Sequence, residues 1–316
     1  MRAAAIDRFG GPEVLTIHNL PIPKISAQEV LIEVDTAGVG TWDGSIRDGS
    51  WAERKEFPMI LGGDGSGIVS AVGSKVRRFK RGDRVYACSY FNPKGGFYAE
   101  YVAVAASKVA PVPNGLELLP AGAIPTIGLT ALQGVDDALG IKKGEALIVH
   151  GASGSVGMLA LQFARLRGAR VLATASGSDG IEFVRKLGAD EAIDGKRDDI
   201  LAAARVFAPG GIDAVLAFVG GKELTRCLDA LRKGGRLAYP NGVEPEPRKR
   251  KGIKMKSYDG TPGVREFDRL GRAIEEMDLK VPIAAGFKLE DAADAHRFIE
   301  KGHVLGKVVL RVRTKS

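Results

Sequence analysis

The stretch VHGASGSVG, Val149–Gly157, places three glycines, an alanine and two serines directly after a short apolar run. The run EALIVH before it predicts a buried strand, and SVGMLALQFARLRG after it predicts a helix that ends at Gly168. The spacing Ala152-x-Gly154-x-x-Gly157 is that of a G-x-G-x-x-G loop with alanine in the first position. Between a strand and a helix, this spacing predicts a dinucleotide site, because Gly154 would let the backbone approach a pyrophosphate. The alternative is a tight strand–helix turn without a ligand. A P-loop is excluded, since no Gly-Lys-Ser/Thr follows.

Strands and helices alternate beyond this loop. The predicted strands are RVLAT, EAID, IDAVLAF and RLAYP, and the predicted helices are IEFVRKLG, DILAAARVF and KELTRCLDALRKGG. Strands that alternate with helices at this spacing form βαβ units, which require a parallel, doubly wound sheet. The first third of the chain instead reads as a glycine-rich β domain, with EVLIEVDTAGV, GIVSAVG and RVYACSY as strands. The closing HVLGKVVLRV returns to strand character and is expected to rejoin that first domain.

The end of the second strand of the alternating series indicates which dinucleotide binds. NAD-binding proteins place an acid at this point to grip the ribose 2′-hydroxyl. Here the strand ends ATASGSD, so Ser176 and Ser178 come before any carboxylate. Lys196 and Arg197 follow the third strand, which lies beside the second in a doubly wound sheet. We therefore expect NADP(H); the alternative is that the serines only cap the next helix.

Composition limits the class of protein. The chain has 316 residues, of which 45% are hydrophobic and 27% charged, and no apolar run reaches the length of a membrane span. Asp7, Arg8 and Glu13 argue against a signal peptide, and the two distant cysteines argue against a disulfide framework, so a cytoplasmic protein is expected. The net charge is +8, and its densest basic stretch is PRKRKGIKMK, 247–256. We expect a solvated loop there and no nucleic-acid partner, because no aromatic residue is interleaved for base stacking.

The segments VHGASGSVG, LPAGAIPTIGLTALQGV, LGADEAID, LRKGGRLAYPNG and GHVLGKVVL resemble the medium-chain dehydrogenase/reductase superfamily. The similarity is greatest to its zinc-free quinone oxidoreductase branch, which includes zeta-crystallin, and it extends over essentially the whole chain. The resemblance implies a GroES-like β domain from residues 1–118 and 282–316, and a Rossmann domain over 119–281. It places the active site in the cleft between them. It also implies a homodimer joined through edge strands of the Rossmann sheet, for which GIKMKSYD is the candidate.

Zinc alcohol dehydrogenases of this superfamily carry three metal ligands, whose positions fall at Gly40, Gly63 and near Pro125 in this chain. None of these residue types donates a side-chain ligand, and Asp64 replaces the family's glutamate. We therefore expect no metal. Zinc polarises an alkoxide or a carbonyl; without it, the easier reductions are of quinones or of C=C bonds conjugated to a carbonyl.

The resemblance and the strand ends together nominate the site residues. Asp43, Ser45 and Trp42 are the candidate catalytic residues, although Gly40, Ser45 and Gly195 depart from the family's Asn, Tyr/Lys and Tyr. His150 is expected to pack in the protein, and His296 is expected on the surface of an amphipathic helix. The candidate cofactor-binding residues are Thr126, Thr130, Ala152, Ser153, Gly154, Ser155, Val156, Gly157, Ser176, Ser178, Lys196, Arg197, Phe218, Val219, Gly220, Tyr239, Asn241, Gly306 and Lys307.

The expected activity is an NADPH-dependent, metal-free oxidoreductase. A hydride would leave C4 of the nicotinamide for a quinone ring or for the β-carbon of an enone, with protonation by water, a cofactor ribose hydroxyl, Ser45 or Asp43. Proximity and exclusion of water would supply most of the rate. Two alternatives remain: an enoyl-thioester reductase, which would need a long apolar tunnel, and a non-catalytic NADPH-binding protein with a redox-sensing or crystallin-like role.

Overall fold

The computed structural model of the protein describes residues 1–53 and 55–313. The first ten strands are β1 (Arg2–Ile6), β2 (Thr16–Asn19), β3 (Glu29–Val39), β4 (Met59–Ile60), β5 (Asp64–Val72), β6 (Arg84–Cys88), β7 (Tyr101–Ala105), β8 (Val109–Pro111), β9 (Ala146–His150) and β10 (Arg170–Ala175). The remaining strands are β11 (Glu191–Asp194), β12 (Ile212–Ala217), β13 (Leu231–Pro240), β14 (Lys254–Tyr258), β15 (Ile283–Lys288) and β16 (Lys307–Arg311). The helices are α1 (Thr41–Arg47), α2 (Leu118–Gly122), α3 (Pro125–Gln133), α4 (Ser155–Leu166), α5 (Gly177–Lys186), α6 (Ile200–Phe207), α7 (Lys222–Asp229), α8 (Val264–Glu275) and α9 (Ala292–Glu300).

A six-stranded parallel sheet forms the Rossmann domain. Its strand order is β11-β10-β9-β12-β13-β14, which is the order 3-2-1-4-5-6 of the doubly wound fold. The direction of winding reverses between β9 and β12, so the carboxyl ends of these two strands border a crevice. His150, the last residue of β9, therefore lies at the point where such sheets bind nucleotides. The alternating strands and helices predicted from the sequence are confirmed.

Mostly antiparallel strands build the GroES-like domain, in which β15 pairs in parallel with β16. A seven-stranded sheet has the order β15-β16-β3-β5-β6-β8, with β7 also paired to β3, and a small sheet joins β2, β1 and β4. β16 pairs with β3 from Val308 opposite Val39 to Arg311 opposite Thr36. The C-terminal segment thus returns to the first domain, as HVLGKVVLRV predicts, and the peptide before β16 comes back to the domain boundary.

Both faces of the parallel sheet are buried. Along β9, Leu147 and Val149 belong to one apolar cluster, while Ala146 and Ile148 belong to another on the opposite face. Such two-sided burial produces the continuous apolar run seen in the sequence. Ile148 is fully buried, so an Ile148→Ala change would cost about 2–5 kcal/mol of folding free energy. The sheet is therefore a rigid base for the loop that follows β9.

The helix predicted from KELTRCLDALRKGG is shorter than expected. α7 ends at Asp229, and Leu231 already pairs with Ile212 as the first residue of β13. Gly234 has φ +77°, a backbone conformation that an α-helix does not contain. The five residues after Ala230 are thus part of the strand. Within the described part of the chain, no helix is long and apolar enough to cross a lipid bilayer.

Candidate active site

The glycine loop joins β9 to α4. Gly151 has φ +79°, and Gly154 is the N-cap of α4. A Cβ on Gly157 would lie 2.8 Å from the Cα of Ala152 and closer still to the carbonyl oxygen of Gly151, so this glycine lets the helix start against the loop. A Cβ on Gly154 would instead have the carbonyl oxygen of Gly151, at 3.4 Å, as its nearest neighbour. The missing side chain at Gly154 thus leaves room above the helix N-terminus, where a phosphate can be held.

A cavity of about 240 Å³ opens at this loop. Five of the residues predicted to bind the cofactor line it: Ser153, Gly154, Ser176, Lys196 and Val219. The other lining residues are His150, Gly151, Thr174, Ala175, Gly195, Glu223, His303, Val304 and Leu305. Most belong to the Rossmann domain, but His303, Val304 and Leu305 precede β16 and come from the GroES-like domain. We call this space the nucleotide pocket.

Ser176 and Lys196 approach the nucleotide pocket from neighbouring strands. Ser176 occupies the N-cap position of α5, yet its side chain makes no capping hydrogen bond. Helix capping therefore does not account for a serine at this position, and the hydroxyl is available to a ligand. Lys196 follows β11, which pairs with β10 in parallel up to Ala175 opposite Asp194. A lysine and a serine hydroxyl at one end of the pocket form an environment that favours an anion.

His150 fixes the entrance of the glycine loop. Its Nδ1 lies 2.7 Å from Oγ1 of Thr174, and the same Oγ1 accepts a hydrogen bond from the backbone N–H of Gly151 at 3.2 Å. Burial lowers the pKa of His150 to about 4, with Glu223 opposing this effect, so the imidazole is neutral at pH 7. Its role is to hold the turn, as its position at the end of the strand suggested.

A buried charge cluster lies where α1, β5 and β16 meet. It contains Asp43, Asp64 and Lys307, which are 0%, 0% and 1% exposed. Over the described residues, Nζ of Lys307 and Oδ1 of each aspartate have no hydrogen-bond partner. Burial lowers the pKa of Lys307, while Asp64 and Asp43 counteract it. Burial raises the pKa of Asp43 to about 7, opposed by the N–H of Gly40 and by Lys307. Asp43 thus carries a proton that can be lost near neutral pH.

His296 is not on the surface, contrary to the expectation from its helix. It is 2% exposed, because the side of α9 that carries it packs towards α1. Its Nδ1 lies 2.9 Å from Nη1 of Arg47 and its Nε2 lies 3.2 Å from the hydroxyl of Tyr98. That hydroxyl donates to Oδ2 of Asp43 at 3.3 Å. Burial lowers the pKa of His296 to about 3, with Arg47 adding to the effect, so a neutral histidine supports the hydrogen bond to Asp43.

Aromatic rings fill the space beside two of the zinc-ligand positions. A Cβ on Gly40 would clash with the ring of Trp42, and a Cβ on Gly63 would lie 2.5 Å from Cε1 of Tyr90. The two rings meet edge to face, with centroids 6.1 Å apart. Among residues 1–53 and 55–313, no group of three His, Cys, Asp or Glu side chains could hold a metal ion. A ligand side chain at Gly40 or Gly63 would therefore need these rings to move.

Tyr90 and Thr126 form a polar contact between the two domains. The Tyr90 hydroxyl donates to Oγ1 of Thr126 at 2.8 Å, and the backbone N–H of Thr126 donates to Oδ2 of Asp64 at 2.9 Å. Oγ1 of Thr126 also lies 3.4 Å from Sγ of Cys88. Burial raises the pKa of Tyr90 well above its ordinary value, with Cys88 and Asp64 adding to the effect, so its hydroxyl stays protonated. Thr126 is itself partly exposed.

A second cavity, of about 490 Å³, lies in the GroES-like domain. Its lining includes Gly63 and Tyr90, and Tyr90 also makes the polar contact with Thr126 described above. Pro58, Ile60 and Phe91 supply further apolar wall, and Phe91 packs edge to face on Trp51 with ring centroids 5.1 Å apart. Its size falls within the range of small-molecule sites.

Several predicted site residues have mainly structural contacts. The ring of Tyr239 is buried in the apolar cluster of α6 and α7, and its hydroxyl donates to Glu246 at 3.1 Å. Asn241 donates to Asp259 at 2.7 Å, and Oγ1 of Thr130 donates to the carbonyl of Thr126 at 2.9 Å. A Cβ on Gly220 would lie 2.6 Å from the carbonyl oxygen of Glu244, so this glycine admits a neighbouring loop.

Apart from Val219, which lines the nucleotide pocket, the remaining predicted residues line neither of the two cavities in the described structure. Gly306 has φ +113° and allows the N–H of Lys307 to reach the carbonyl of Pro282 at 2.9 Å. Val219 is exposed and Phe218 half-buried at the end of β12. The others are Ala152, buried in the loop, Ser155, Val156 and Gly157 in the first turn of α4, Ser45 in α1, and the exposed Ser178 and Arg197.

Sequence reasoning did not find Tyr90, Tyr98 or His303. Tyr90 and Tyr98 flank the loop 91–97, and the signal that they offered was their aromatic character at either side of a segment with Pro93, Gly95 and Gly96. His303 follows Gly302 and adopts φ +52°, a value that is uncommon for a residue other than glycine. No local pattern indicates that it reaches the other domain.

Comparison with known proteins identifies the chain. A family model described as an alcohol dehydrogenase GroES-like domain matches residues 26–114, and one described as a zinc-binding dehydrogenase matches residues 187–310. A curated quinone oxidoreductase from Lama guanicoe is 33% identical over 330 residues, covering 99% of this chain and 98% of that protein. The chain belongs to the quinone oxidoreductase family. It is thus an oxidoreductase, and the resemblance seen in its sequence is confirmed.

Solved structures agree with this quinone oxidoreductase fold. One described as an NAD-dependent alcohol dehydrogenase has a TM-score of 0.92 and 32% identity, covering 99% of this chain and 100% of that chain. A mycobacterial protein complexed with NADPH has a TM-score of 0.87 and 28% identity, also over 99% and 100%. These two relatives use or bind different nicotinamide cofactors. The choice for this family member therefore depends on its own residues.

Proposed function

We propose that the protein is an NADPH-dependent oxidoreductase that reduces quinones or enones without a metal. The observation that carries the proposal is the nucleotide pocket, in which the glycine loop, Ser176 and Lys196 share one cavity. The loop suits a pyrophosphate, and the lysine with the serine suits a further phosphate. The binding of NADPH by a mycobacterial relative supports the same cofactor.

The residues present fit a nicotinamide dinucleotide. The pyrophosphate would bind in the open space over Gly154, at the first turn of α4. The first hydrogen bond of the helix runs from the N–H of Met158 to the carbonyl of Gly154. The N–H groups of Ser155 and Val156 come before it in the chain and can donate to the pyrophosphate. Thr126 and Tyr90 would border the reacting end. The bound nicotinamide would supply the hydride, whereas this chain supplies the positioning and excludes water.

The acceptor follows from what surrounds Gly40 and Gly63. Aromatic rings occupy the space that ligand side chains at Gly40 and Gly63 would need, so these positions do not hold a zinc ion that could polarise an unactivated carbonyl. An acceptor that is already conjugated, such as a quinone or an enone, needs only a hydride and a proton. The Tyr90 hydroxyl donates to Thr126 in the free protein and, by rotating, can donate to the oxygen that gains charge instead; Asp43 holds a proton with a pKa of about 7.

The cavity of about 490 Å³ supports an apolar acceptor. The same cavity is compatible with the alternative of an enoyl-thioester reductase, because an acyl chain could occupy it.

We further propose that β14, which forms one edge of the parallel sheet, joins two copies of the chain. We also propose that the boundaries near residues 118 and 282 separate the domains. Oligomeric state by light scattering tests the first of these proposals.

A turnover screen tests the proposed function. Purified protein is mixed with NADPH and a panel of benzoquinones, naphthoquinones, short enones and an enoyl thioester, and loss of the reduced nicotinamide absorbance is followed. We expect turnover with quinones or enones. NADPH binding without turnover of any acceptor would favour the non-catalytic alternative, and turnover confined to the thioester would favour the enoyl reductase.

A further inference from the structure

An ion pair joins the two domains at the nucleotide pocket. Nε2 of His303 lies 2.8 Å from Oδ2 of Asp179. His303 belongs to the segment between α9 and β16, whereas Asp179 lies in the first turn of α5. The two side chains are 50% and 59% exposed, so the pair contributes little to stability. The pair lies at the nucleotide pocket, however, because His303 lines that pocket together with the glycine loop.

The pair lies beside the residues that favour an anion. A Cβ on Gly177 would lie 2.8 Å from Oδ1 of Asp179 and 3.7 Å from Cε1 of His303. Gly177 follows Ser176 directly, and both Ser176 and His303 line the nucleotide pocket with Lys196. A phosphate bound by Ser176 and Lys196 would thus be a close neighbour of the imidazole and of the carboxylate.

The charges of the pair act in opposite directions on such a phosphate. A 2′-phosphate carries close to two negative charges near pH 7, so Asp179 repels it and a protonated His303 attracts it. Other ionised groups nearby are Glu223, which lines the same pocket, and Asp194, which accepts the N–H of Gly177 at 3.1 Å. Arg197 pairs with Asp194 at 3.9 Å, Lys196 lines the pocket with one positive charge, and His303 is a further group there that can carry a positive charge when protonated.

We propose that His303 is a specificity-determining residue, which exchanges its partner Asp179 for the 2′-phosphate of NADPH when the cofactor binds. This inference rests on the proposed function and refines it. In the free protein, Asp179 holds the imidazole at the pocket through their hydrogen bond. In the complex, His303, Ser176 and Lys196 surround the phosphate, and Asp179 turns to solvent. NADH has no 2′-phosphate and gains nothing from the exchange.

Cofactor affinities of charge-changing variants test the exchange. Dissociation constants for NADPH and NADH are measured by fluorescence titration at about pH 6.5 and low salt, where an imidazole is largely or partly protonated. The proteins are the wild type, His303→Gln and Asp179→Asn, with His18→Gln as a matched control. His18 pairs with Asp7 at 3.4 Å on the small sheet, away from the pocket.

The expected results differ between the two variants. His303→Gln should weaken NADPH binding by about tenfold, the effect of one charge-assisted hydrogen bond of roughly 1.5 kcal/mol, and leave NADH within about twofold. Asp179→Asn should tighten NADPH binding at least about threefold, because the repulsion is removed. His18→Gln should change neither constant. Together these results would support the exchange.

Three results would overturn it. If His303→Gln weakened the binding of NADPH and NADH equally, the pair would serve only to hold the two domains together. Weaker NADH binding in Asp179→Asn, with NADPH unchanged, would show that Asp179 grips the ribose 2′-hydroxyl of NADH. Binding of both cofactors by every protein without any difference would refute the role of His303 while the dinucleotide site stands, whereas a wild type that binds neither cofactor would refute the proposed function itself.

Discussion

Lys307 places its Nζ 4.5 Å from the centre of the Trp42 ring. The lysine is 1% exposed, and within the described residues its ammonium has no hydrogen-bond partner, so the ring and the carboxylates of Asp43 and Asp64 are its compensation. A desolvated cation–π contact contributes about 2 kcal/mol, which is less than the cost of burying a lone charge. The carboxylates must therefore compensate the charge of the lysine, and the protonation of Asp43 becomes part of the stability of the site.

Asp43→Asn should change the pH dependence of stability. Burial raises the pKa of Asp43 to about 7 in the folded protein, whereas the ordinary pKa of an aspartate, which applies in the unfolded chain, is 3.8. The folded wild type thus binds more protons than the unfolded chain between these values, and it loses stability as pH rises through them. The asparagine variant lacks this loss.

The stability difference between Asp43→Asn and wild type should therefore grow by up to about 1.4 kcal/mol per pH unit from pH 4 to pH 7 and then level off. Urea unfolding at several pH values measures it. His150 and His296 titrate in both proteins, so their contributions cancel in the difference. A difference that does not vary with pH would show that Asp43 is ionised throughout this range.

Gly154→Val should abolish dinucleotide binding without unfolding the protein. The space next to Gly154 is open in the structure, so the branched side chain would fit the fold but occupy the place of the pyrophosphate. NADPH fluorescence titration gives the affinity, and circular dichroism checks the fold. Gly210→Val is the matched control, since a Cβ there meets no atom within 4 Å and the residue lies away from the pocket. Unaltered NADPH affinity in folded Gly154→Val would rule out the loop as the binding site.

Ser176→Asp should reverse or remove the preference for NADPH over NADH. The new carboxylate would repel the 2′-phosphate and could accept a hydrogen bond from a 2′-hydroxyl instead. Loss of one charged hydrogen bond, roughly 1.5–3 kcal/mol, corresponds to a change of about tenfold or more in affinity. Dissociation constants for both cofactors, with Ser74→Asp as a surface control, measure the effect. If the wild type already binds both equally, the assignment of NADP(H) is incorrect.

Protein purified without added zinc should contain well below one zinc ion per chain, and chelators should not reduce its turnover. The reason is the set of residue types at Gly40, Gly63 and Pro125, together with the rings of Trp42 and Tyr90 that pack where a ligand side chain would extend. Elemental analysis by mass spectrometry gives the metal content. Stoichiometric zinc with chelator-sensitive activity would contradict this interpretation.

The sequence predicts well what depends on local pattern and poorly what depends on distant segments. The loop Val149–Gly157 and the strands around it were predictable because periodicity and glycine spacing are local properties. The early end of α7 was missed because pairing of Leu231 with Ile212 overrides the helical pattern. His296 was misplaced because its burial depends on α9 packing towards α1, more than 240 residues away in the chain. Tyr90 and His303 reach the site only through contacts between domains, which no local pattern contains.

Isotope tracing shows where the hydride goes. Wild-type protein is given NADPH with deuterium at both C4 positions of the reduced ring together with an enone, and the product is analysed by mass spectrometry and NMR. We expect a product with deuterium on the β-carbon, because C4 of the reduced nicotinamide supplies the hydride. Product without label at that carbon, or no product from any enone or quinone while NADPH binds, would contradict it.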